Sequence, residues 1–212
     1  MPNEINHFYI AFSGGLDSHV LLHATQQLIP KHRMTAVHIN HGLQPEAQDW
    51  EKHCQNICEA LNIPLVTRFI KNDIIRYKSL NYSPEDAARI ARYTALKTLL
   101  QNNDCLLTGH HLEDQSETLL LQLMRGAGVK GLGGMRLLRL SEGSYHFRPL
   151  LAWRDQERLR YAKQHQLQWI EDPSNRDQTF MRNFVRHTVI PTLKKEWPST
   201  VSTIGKAALH LQ

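Results

Sequence analysis

The chain has 212 residues, a formal net charge of +5, and 41% hydrophobic and 21% charged residues. This composition is ordinary for a globular protein and excludes disordered and collagen-like chains. No stretch approaches the length of about 18 apolar residues that a membrane span needs, and the polar residues 1–6 lack the features of a signal peptide. We therefore expect a cytoplasmic protein without a membrane partner, whose three cysteines are structural thiols.

Apolar runs that are typical of buried strands alternate with helical patterns from the start of the chain to Arg125. The predicted strands are residues 7–12, 34–39, 64–70 and 104–108. The predicted helices are residues 16–28, 45–61, 84–101 and 112–124. A polar stretch before Ser83 is predicted to be a connection. Strands alternating with helices predict a Rossmann-like, doubly wound α/β fold, with a mostly parallel sheet and helices on both faces.

The pattern changes after Arg125, where glycines become frequent. Residues 145–150 are predicted to add an edge strand. Helices are predicted over residues 154–166 and 177–186.

An apolar stretch with helical periodicity, residues 201–211, runs to the end of the chain without a stop signal. We therefore expect a core of residues 1–140 and a second part, residues 141–212, that ends in a helical extension. We also expect further C-terminal domains that are absent from this chain.

Residues 13–18, with the sequence SGGLDS, lie between the first predicted strand and the first predicted helix. Glycines there allow a tight turn and close backbone approach, and the amides at the start of a helix favour an anion. Asp17 is placed to hold a magnesium ion that bridges phosphate oxygens. A Walker A loop would require a lysine, which this segment lacks. The pattern therefore predicts a phosphate-binding loop of another kind.

Two pairs of charged residues share helix faces. Asp114 and Glu117 are three residues apart, and such a carboxylate pair after a strand suits a cationic amino acid or a metal ion. Arg89 and Arg92 share a face of the preceding helix and suit bidentate contact with phosphate. The alternative is a solvated surface for the carboxylate pair and a helix-surface salt bridge to Glu85 or Asp86 for the arginine pair.

Arg182 and Arg186 begin a basic stripe that continues to Lys194 and Lys195. Such a stripe suits an RNA backbone, and a solvated face is the alternative.

Four histidines also follow predicted strands, namely His38, His41, His110 and His111. Because no spacing of cysteines or carboxylates supports zinc, we favour hydrogen-bonded histidines over a metal site.

The SGGLDS segment resembles the loop of the N-type ATP pyrophosphatases, enzymes that cleave ATP to AMP and pyrophosphate while they adenylate a substrate. Further blocks resemble the tRNA(Ile)-lysidine synthetase family within that group. They are residues 38–43 (HINHGL), 88–93 (ARIARY), 108–118 (TGHHLEDQSET), 123–135, which are rich in glycine, and 171–186, which contain EDPSN and FMRN. There are two departures, because Gln44 stands where the family often has arginine and Glu113 where it has aspartate.

The resemblance implies an enzyme that ligates L-lysine to C2 of the wobble cytidine of an isoleucine tRNA with a CAU anticodon. It implies ATP and Mg²⁺ as cofactors, makes residues 1–140 the pyrophosphatase core, and leaves a homodimer open. The implied ATP-binding residues are Ser13, Gly14, Gly15, Leu16, Asp17, Ser18, His38 and Ile39, with Asp17 also on magnesium. The implied catalytic residues are Asp17, Arg92, His111, Asp114 and Glu117, of which Asp114 and Glu117 would bind lysine. The implied tRNA-binding residues are Arg125, Arg182 and Arg186.

Two other functions stay open. A tRNA thiolation enzyme would share the loop, but those relatives use catalytic or cluster-binding cysteines, and this chain has no Cys-x-x-Cys. The second alternative is a non-catalytic module that binds nucleotide or tRNA. Its function would not require all four of the charged residues Asp17, Arg92, Asp114 and Glu117, so their joint presence disfavours it.

Overall fold

The computed structural model describes residues 5–42 and 44–212, and of Arg176 only the backbone. Residues 1–4 and Leu43, the last residue of the HINHGL block, lie outside the described residues. The strands are β1 (Phe8–Ala11), β2 (Met34–Asn40), β3 (Leu65–Phe69), β4 (Cys105–Leu107), β5 (Leu138–Ser141) and β6 (Ser144–Phe147). The helices are α1 (Leu16–Gln26), α2 (Ala47–Leu61), α3 (Lys71–Ser79), α4 (Pro84–Lys97), α5 (Leu112–Met124), α6 (Val129–Leu132), α7 (Asp155–Gln164), α8 (Met181–Phe184), α9 (Ile190–Glu196) and α10 (Thr200–His210).

The six strands form one sheet in the order β3-β2-β1-β4-β6-β5. All neighbouring pairs are parallel except β5 with β6. The chain builds outward from β1 through β2 to β3, and it then crosses to β4 on the other side of β1. This reversal opens a crevice at the carboxyl ends of the strands. The predicted doubly wound, mostly parallel fold is confirmed.

Helices cover both faces of the sheet because its strands are apolar on both faces. Ile10 of β1 belongs to a buried cluster that includes Leu21 of α1 and Ala162 of α7. Its neighbour Tyr9 packs in a second cluster with Leu96 of α4. Successive strand residues point to opposite faces, so the sheet around β1 is the middle layer between two layers of helices.

Local sequence signals set several helix boundaries. The Ser83 hydroxyl accepts a hydrogen bond from the Asp86 amide at 3.1 Å, and Pro84 begins α4, as the N-cap pattern predicts. Asn62 ends α2 with a left-handed φ of 54°. Helix α5 has the predicted boundaries.

The β5–β6 hairpin corrects the prediction of an edge strand over residues 145–150. Strand β6 pairs with β4 on one side and with β5 on the other, so β5 is the edge strand. Glu142 and Gly143 form its two-residue turn with φ of 53° and 79°. The expected division at residue 140 falls inside β5, and the sheet of the first part continues to Phe147.

Two helices differ from their predictions. Helix α3 occupies the predicted polar connection. The helix was not predicted because Ile74 is its one buried residue, which is too little apolar periodicity to indicate a helix. The helix predicted over residues 177–186 begins only at Met181, and from Val185 the backbone follows a π-helical turn. The Asp177 carboxylate instead accepts hydrogen bonds from the amide and the hydroxyl of Thr179, at 3.0 and 2.7 Å.

The predicted C-terminal helical extension is confirmed. Helix α10 packs on α5, where the Ser116 hydroxyl donates to the Val201 carbonyl at 3.1 Å. Among the described residues, no helix is long and apolar enough to cross a membrane.

Candidate active site

The SGGLDS loop forms the turn between β1 and α1. Gly14 has a φ of +80°, and a Cβ there would lie 3.0 Å from Cys54 Sγ. Gly15 is the N-cap of α1. The Ser18 hydroxyl donates to the Gly15 carbonyl at 2.9 Å and lies 3.1 Å from Ser13 Oγ. The loop is therefore held by its own hydroxyl groups, at the helix end whose amides favour an anion.

His38 and Ile39 lie beside this loop because β2 pairs with β1. His38 Nδ1 lies 3.1 Å from the Phe12 carbonyl and 3.4 Å from Cys54 Sγ. Burial lowers the pKa of His38, so the ring is neutral. This hydrogen-bonded, buried state agrees with the prediction for the histidines.

His111 joins the loop to α5. Its Nε2 lies 3.2 Å from Asp114 Oδ2 and 3.5 Å from Asp17 Oδ2, and its Nδ1 lies 3.0 Å from Glu113 Oε2. The His111 amide also donates to Asp114 Oδ2 at 3.1 Å. Gly109 permits this closeness, since a Cβ there would lie 3.0 Å from the Asp17 carbonyl oxygen. Two predicted catalytic carboxylates, those of Asp17 and Asp114, therefore meet at the imidazole of a third predicted catalytic residue, His111.

Arg158 of α7 is a site residue that the sequence reasoning missed. Its side chain is 2% exposed and contacts the carboxylates of Asp17 and Asp155. Its Nη2 lies 3.8 Å from Glu113 Oε2. Burial, and then the charge of Arg186, lower the pKa of Arg158 to about 10, so it remains charged. Its only signal in the sequence is the spacing from Asp155, and such pairs are common on helix surfaces.

Arg182 and Arg186, predicted to bind tRNA, contact the two carboxylates predicted to bind lysine. Arg186 Nε lies 2.6 Å from Glu117 Oε1, and its Nη2 lies 3.2 Å from Asp114 Oδ1. Arg182 Nε lies 2.9 Å from Glu117 Oε2, and its Nη2 donates to Thr118 Oγ1 at 3.0 Å. Because the Glu117 side chain is 0% exposed, its charge is balanced by these two guanidinium groups.

These contacts form one cluster, which we call the acidic network. Its members are Asp17, Glu113, Asp114, Glu117, Asp155, His111, Arg158, Arg182 and Arg186. Five carboxylates therefore share three guanidinium groups and one imidazole. The remaining negative charge suits a divalent cation or an ammonium group.

The donor set of the acidic network fits magnesium, which prefers carboxylate oxygens. Ligand atoms of His111, Glu113 and Asp155 lie within 4.8 Å of one another. The Asp17 carboxylate, predicted to hold the ion, lies at the loop end of the network and is engaged by Arg158.

Arg92 lies among neutral histidines rather than among carboxylates. Burial, and then the charge of Arg92, lower the pKa of His41 to about 4. The guanidinium carbons of Arg89 and Arg92 lie 5.1 and 5.2 Å from the centre of the Tyr93 ring. Two arginines next to uncharged rings make this part of the site attractive to anions.

Two sequence-predicted features lie at the margin of the site. Gln44 Nε2 donates to Asp172 Oδ1 at 3.4 Å and so links the residue after the HINHGL block to the block of residues 171–186. Arg125 is exposed at the end of α5, a helix of 13 residues, so it lies about 20 Å along that helix from His111. The structure does not bring Arg125 to the other predicted site residues.

The cysteines are free, buried thiols, as predicted. Burial raises the pKa of Cys54, Cys58 and Cys105 to about 12 in each case. Such thiols are poor nucleophiles and poor metal ligands at neutral pH.

The whole chain is similar to known enzymes in sequence. The PP-loop domain family matches residues 1–193. A tRNA(Ile)-lysidine synthase from Pseudomonas fluorescens is 47% identical over 98% of this chain and 46% of its own length. One from Coxiella burnetii is 44% identical over 97% of this chain and 45% of its own length. This chain thus spans about half the length of these relatives.

Solved structures that are distant in sequence share the fold. The U34-tRNA thiolase NcsA from Methanococcus maripaludis superposes with a TM-score of 0.75 at 17% identity, covering 98% of this chain and 73% of that one. An NH3-dependent NAD synthetase from Campylobacter jejuni superposes with a TM-score of 0.53 at 15% identity, covering 98% of this chain and 85% of that one. At these identities the likeness concerns the fold alone. The SGGLDS loop, the doubly wound sheet around it and the sequence match over most of the chain lead to one assignment: the chain belongs to the PP-loop domain family.

Proposed function

We propose that this chain is the catalytic part of an ATP-dependent ligase that joins L-lysine to the wobble cytidine of an isoleucine tRNA with a CAU anticodon. ATP adenylates the cytidine at its C2 carbonyl oxygen, and pyrophosphate leaves. The ε-amine of lysine then forms a bond to C2, and AMP leaves with the oxygen. The product is lysidine.

One observation carries this proposal: the phosphate-binding loop and the carboxylates of α5 meet at His111. Asp17 Oδ2 and Asp114 Oδ2 lie 3.5 and 3.2 Å from the same His111 nitrogen. A nucleotide on the loop and a cationic substrate on α5 would therefore be neighbours. Relatives named tRNA(Ile)-lysidine synthase, such as that from Pseudomonas fluorescens at 47% identity, support the same reaction.

The nucleotide would be bound by the loop and the end of β2. Ser13, Gly14, Gly15, Leu16 and Ser18 would surround the pyrophosphate, with the adenine beside His38 and Ile39. A magnesium ion bound there would neutralise charge on the phosphate oxygens, with Asp17 as its protein ligand. Arg92 would add positive charge where negative charge develops during the transfer.

Asp114 would bind the lysine ammonium, with Glu117 behind it. Because both Glu117 oxygens accept from arginines, its contribution is charge held at a fixed place. Lysine must lose a proton before it attacks. The carboxylates bind the ammonium form, whereas the exclusion of water when the pocket closes disfavours that charged form and so promotes the loss of the proton. His111, whose two ring nitrogens face the carboxylates of Asp17, Asp114 and Glu113, is the group placed to relay that proton between the amine and these carboxylates.

Arg182 and Arg186 would serve tRNA through their partly exposed guanidinium edges while they hold Glu117. Arg125 would contribute a separate phosphate contact at the far end of α5. A homodimer is a further proposal that rests on the sequence resemblance alone.

The direct test is mass spectrometry of ribonuclease digests of isoleucine tRNA with a CAU anticodon, incubated with the protein, ATP, magnesium and lysine. We expect the wobble cytidine to gain the mass of one condensed lysine. Sulfur incorporation in place of lysine would support the thiolation alternative, which the three buried thiols disfavour. ATP binding without AMP release would support a non-catalytic module.

Asp114→Asn tests the site itself. Removing the charge while keeping the shape should lower lysidine formation by about a hundredfold or more, because preorganised charge is a large part of such catalysis. Glu142→Gln is the matched control, since Glu142 forms an exposed pair with Lys97 on the hairpin. Wild-type activity in a folded Asp114→Asn variant would remove Asp114 from the mechanism.

A further inference from the structure

A chain of hydrogen bonds runs across the carboxyl ends of β4 and β6 and is separate from the acidic network. Thr108 Oγ1 lies 2.7 Å from His110 Nδ1 and 2.9 Å from His146 Nε2. His146 Nδ1 lies 3.1 Å from Arg148 Nη2. The parallel pairing of β4 with β6 brings these residues together, with Leu106 opposite His146.

The donor and acceptor groups set the direction of this chain of hydrogen bonds. An arginine side chain only donates, so His146 Nδ1 accepts and its proton is on Nε2. That Nε2–H donates to Thr108 Oγ1. Among the hydrogen bonds of the described residues, His110 Nδ1 is then the one acceptor left for the hydroxyl hydrogen of Thr108, so the hydroxyl donates to it. His110 therefore carries its proton on Nε2. No hydrogen bond between described residues uses that Nε2.

Burial and the surrounding positive charges keep the rings of His110 and His146 neutral. Burial, and after it the charges of Arg148, Arg92 and Arg182, hold the pKa of His110 well below the usual value. Burial comes first for His146 as well, followed by the charges of neighbouring arginines, and its pKa falls to about 3. Those arginines are Arg148, Arg139, Arg89 and Arg92.

His110 lies next to the SGGLDS loop and the start of α1. Gly109, the residue before it, packs against the backbone of Asp17 at the start of α1, and His111, the residue after it, contacts the Asp17 side chain. A neutral N–H donor beside Arg92 and Arg182 is suited to an oxygen that carries negative charge.

We propose that Thr108, His146 and Arg148 are positioning residues that hold His110 as an Nε2–H donor toward a phosphate oxygen of the bound nucleotide. The choice of nucleotide as ligand rests on the proposed function, whereas the direction of the hydrogen-bond chain does not. In this arrangement His110 donates a hydrogen bond and does not accept a proton from the substrate.

Thr108→Val and Thr108→Ser form a matched pair for the test. Valine keeps the shape of the buried threonine and removes the hydroxyl, whereas serine keeps the hydroxyl. In protein labelled with ¹⁵N-histidine, nitrogen NMR shifts report which ring nitrogen carries the proton, and His110→Gln and His146→Gln assign the two signals. We expect neutral Nε2–H rings for both histidines in the wild type and in Thr108→Ser. In Thr108→Val we expect the His110 signal to move toward the other tautomer.

Binding of inorganic pyrophosphate provides the second measurement. We expect Thr108→Val to weaken it about tenfold, the effect of one misdirected hydrogen bond to a charged group, and Thr108→Ser to leave it unchanged. An Nδ1–H or charged His110 in the wild type would overturn the proposal. So would Thr108→Ser behaving like Thr108→Val. If the tautomers are as expected but no lysidine forms, the proposed function fails and the hydrogen-bond chain stands.

Discussion

At the scale of single residues, the site is dominated by buried charge that is paired across long stretches of sequence. Glu117 is fully buried, and Arg182 and Arg186 bond to both of its oxygens. A buried carboxylate without such partners would be protonated or would destabilise the fold. The same two arginines therefore stabilise the fold and hold charge in the site.

Glu117→Gln tests how much this buried ion pair contributes to the stability of the fold. The substitution removes the carboxylate that Arg182 and Arg186 share, although Arg186 keeps its contact with Asp114. The free energy of unfolding should therefore fall by about 2–4 kcal/mol, somewhat less than for a completely buried pair, because the arginines are also partly exposed. Urea unfolding measures the change. Glu142→Gln, which removes an exposed ion pair, should cost less than about 1 kcal/mol. Equal losses in the two variants would contradict the structural role of Glu117.

At the scale of elements, the turn between β1 and α1 is specified by its own sequence. The hydroxyls of Ser13 and Ser18 close it, and Gly14 adopts a φ of +80° that other residues rarely adopt. Gly15, by contrast, has an ordinary extended φ of −78°.

Gly14→Ala should therefore be far more harmful than Gly15→Ala. An alanine at position 14 combines a left-handed backbone with a Cβ 3.0 Å from Cys54 Sγ, whereas one at position 15 would have its nearest neighbour, Ser13 Oγ, at 3.5 Å. We expect Gly14→Ala to lower the free energy of unfolding by about 1–3 kcal/mol. Thermal melts of the two variants measure this difference. A similar loss in both would show that the left-handed conformation is not required.

At the scale of the whole molecule, the strand order collects the ends of β2, β1, β4 and β6 along one edge, so histidines from distant segments lie half-buried near arginines. His41 and His146 have pKa values lowered to about 4 and about 3, chiefly by burial. In the unfolded chain these histidines titrate near a pKa of about 6.5. Between these values the unfolded chain binds more protons, so acid favours unfolding.

Stability should therefore fall as the pH is lowered from about 6.5 toward 4, by up to about 1.4 kcal/mol per pH unit for each such histidine. His41→Gln removes one of them and should make the decline less steep. Urea unfolding at several pH values measures the slope. An unchanged slope in the variant would show that His41 is not held neutral by the fold.

The local sequence predicted the alternation of strands and helices, the tight turn of the SGGLDS segment, the N-cap at Ser83 and the boundaries of α5. These features depend on neighbouring residues, so apolar periodicity and turn chemistry record them locally. It failed where a segment has little apolar periodicity, as in α3 and β5, whose residues Leu138 and Leu140 are exposed.

Which charged side chains meet depends on the tertiary structure. Arg158 reaches Asp17, Arg186 reaches Glu117, and Thr108 links His110 to His146, although each contact joins separate elements. Such contacts leave no periodic pattern in the sequence, because they arise from the order of strands in the sheet and from the need of every buried charge for a partner.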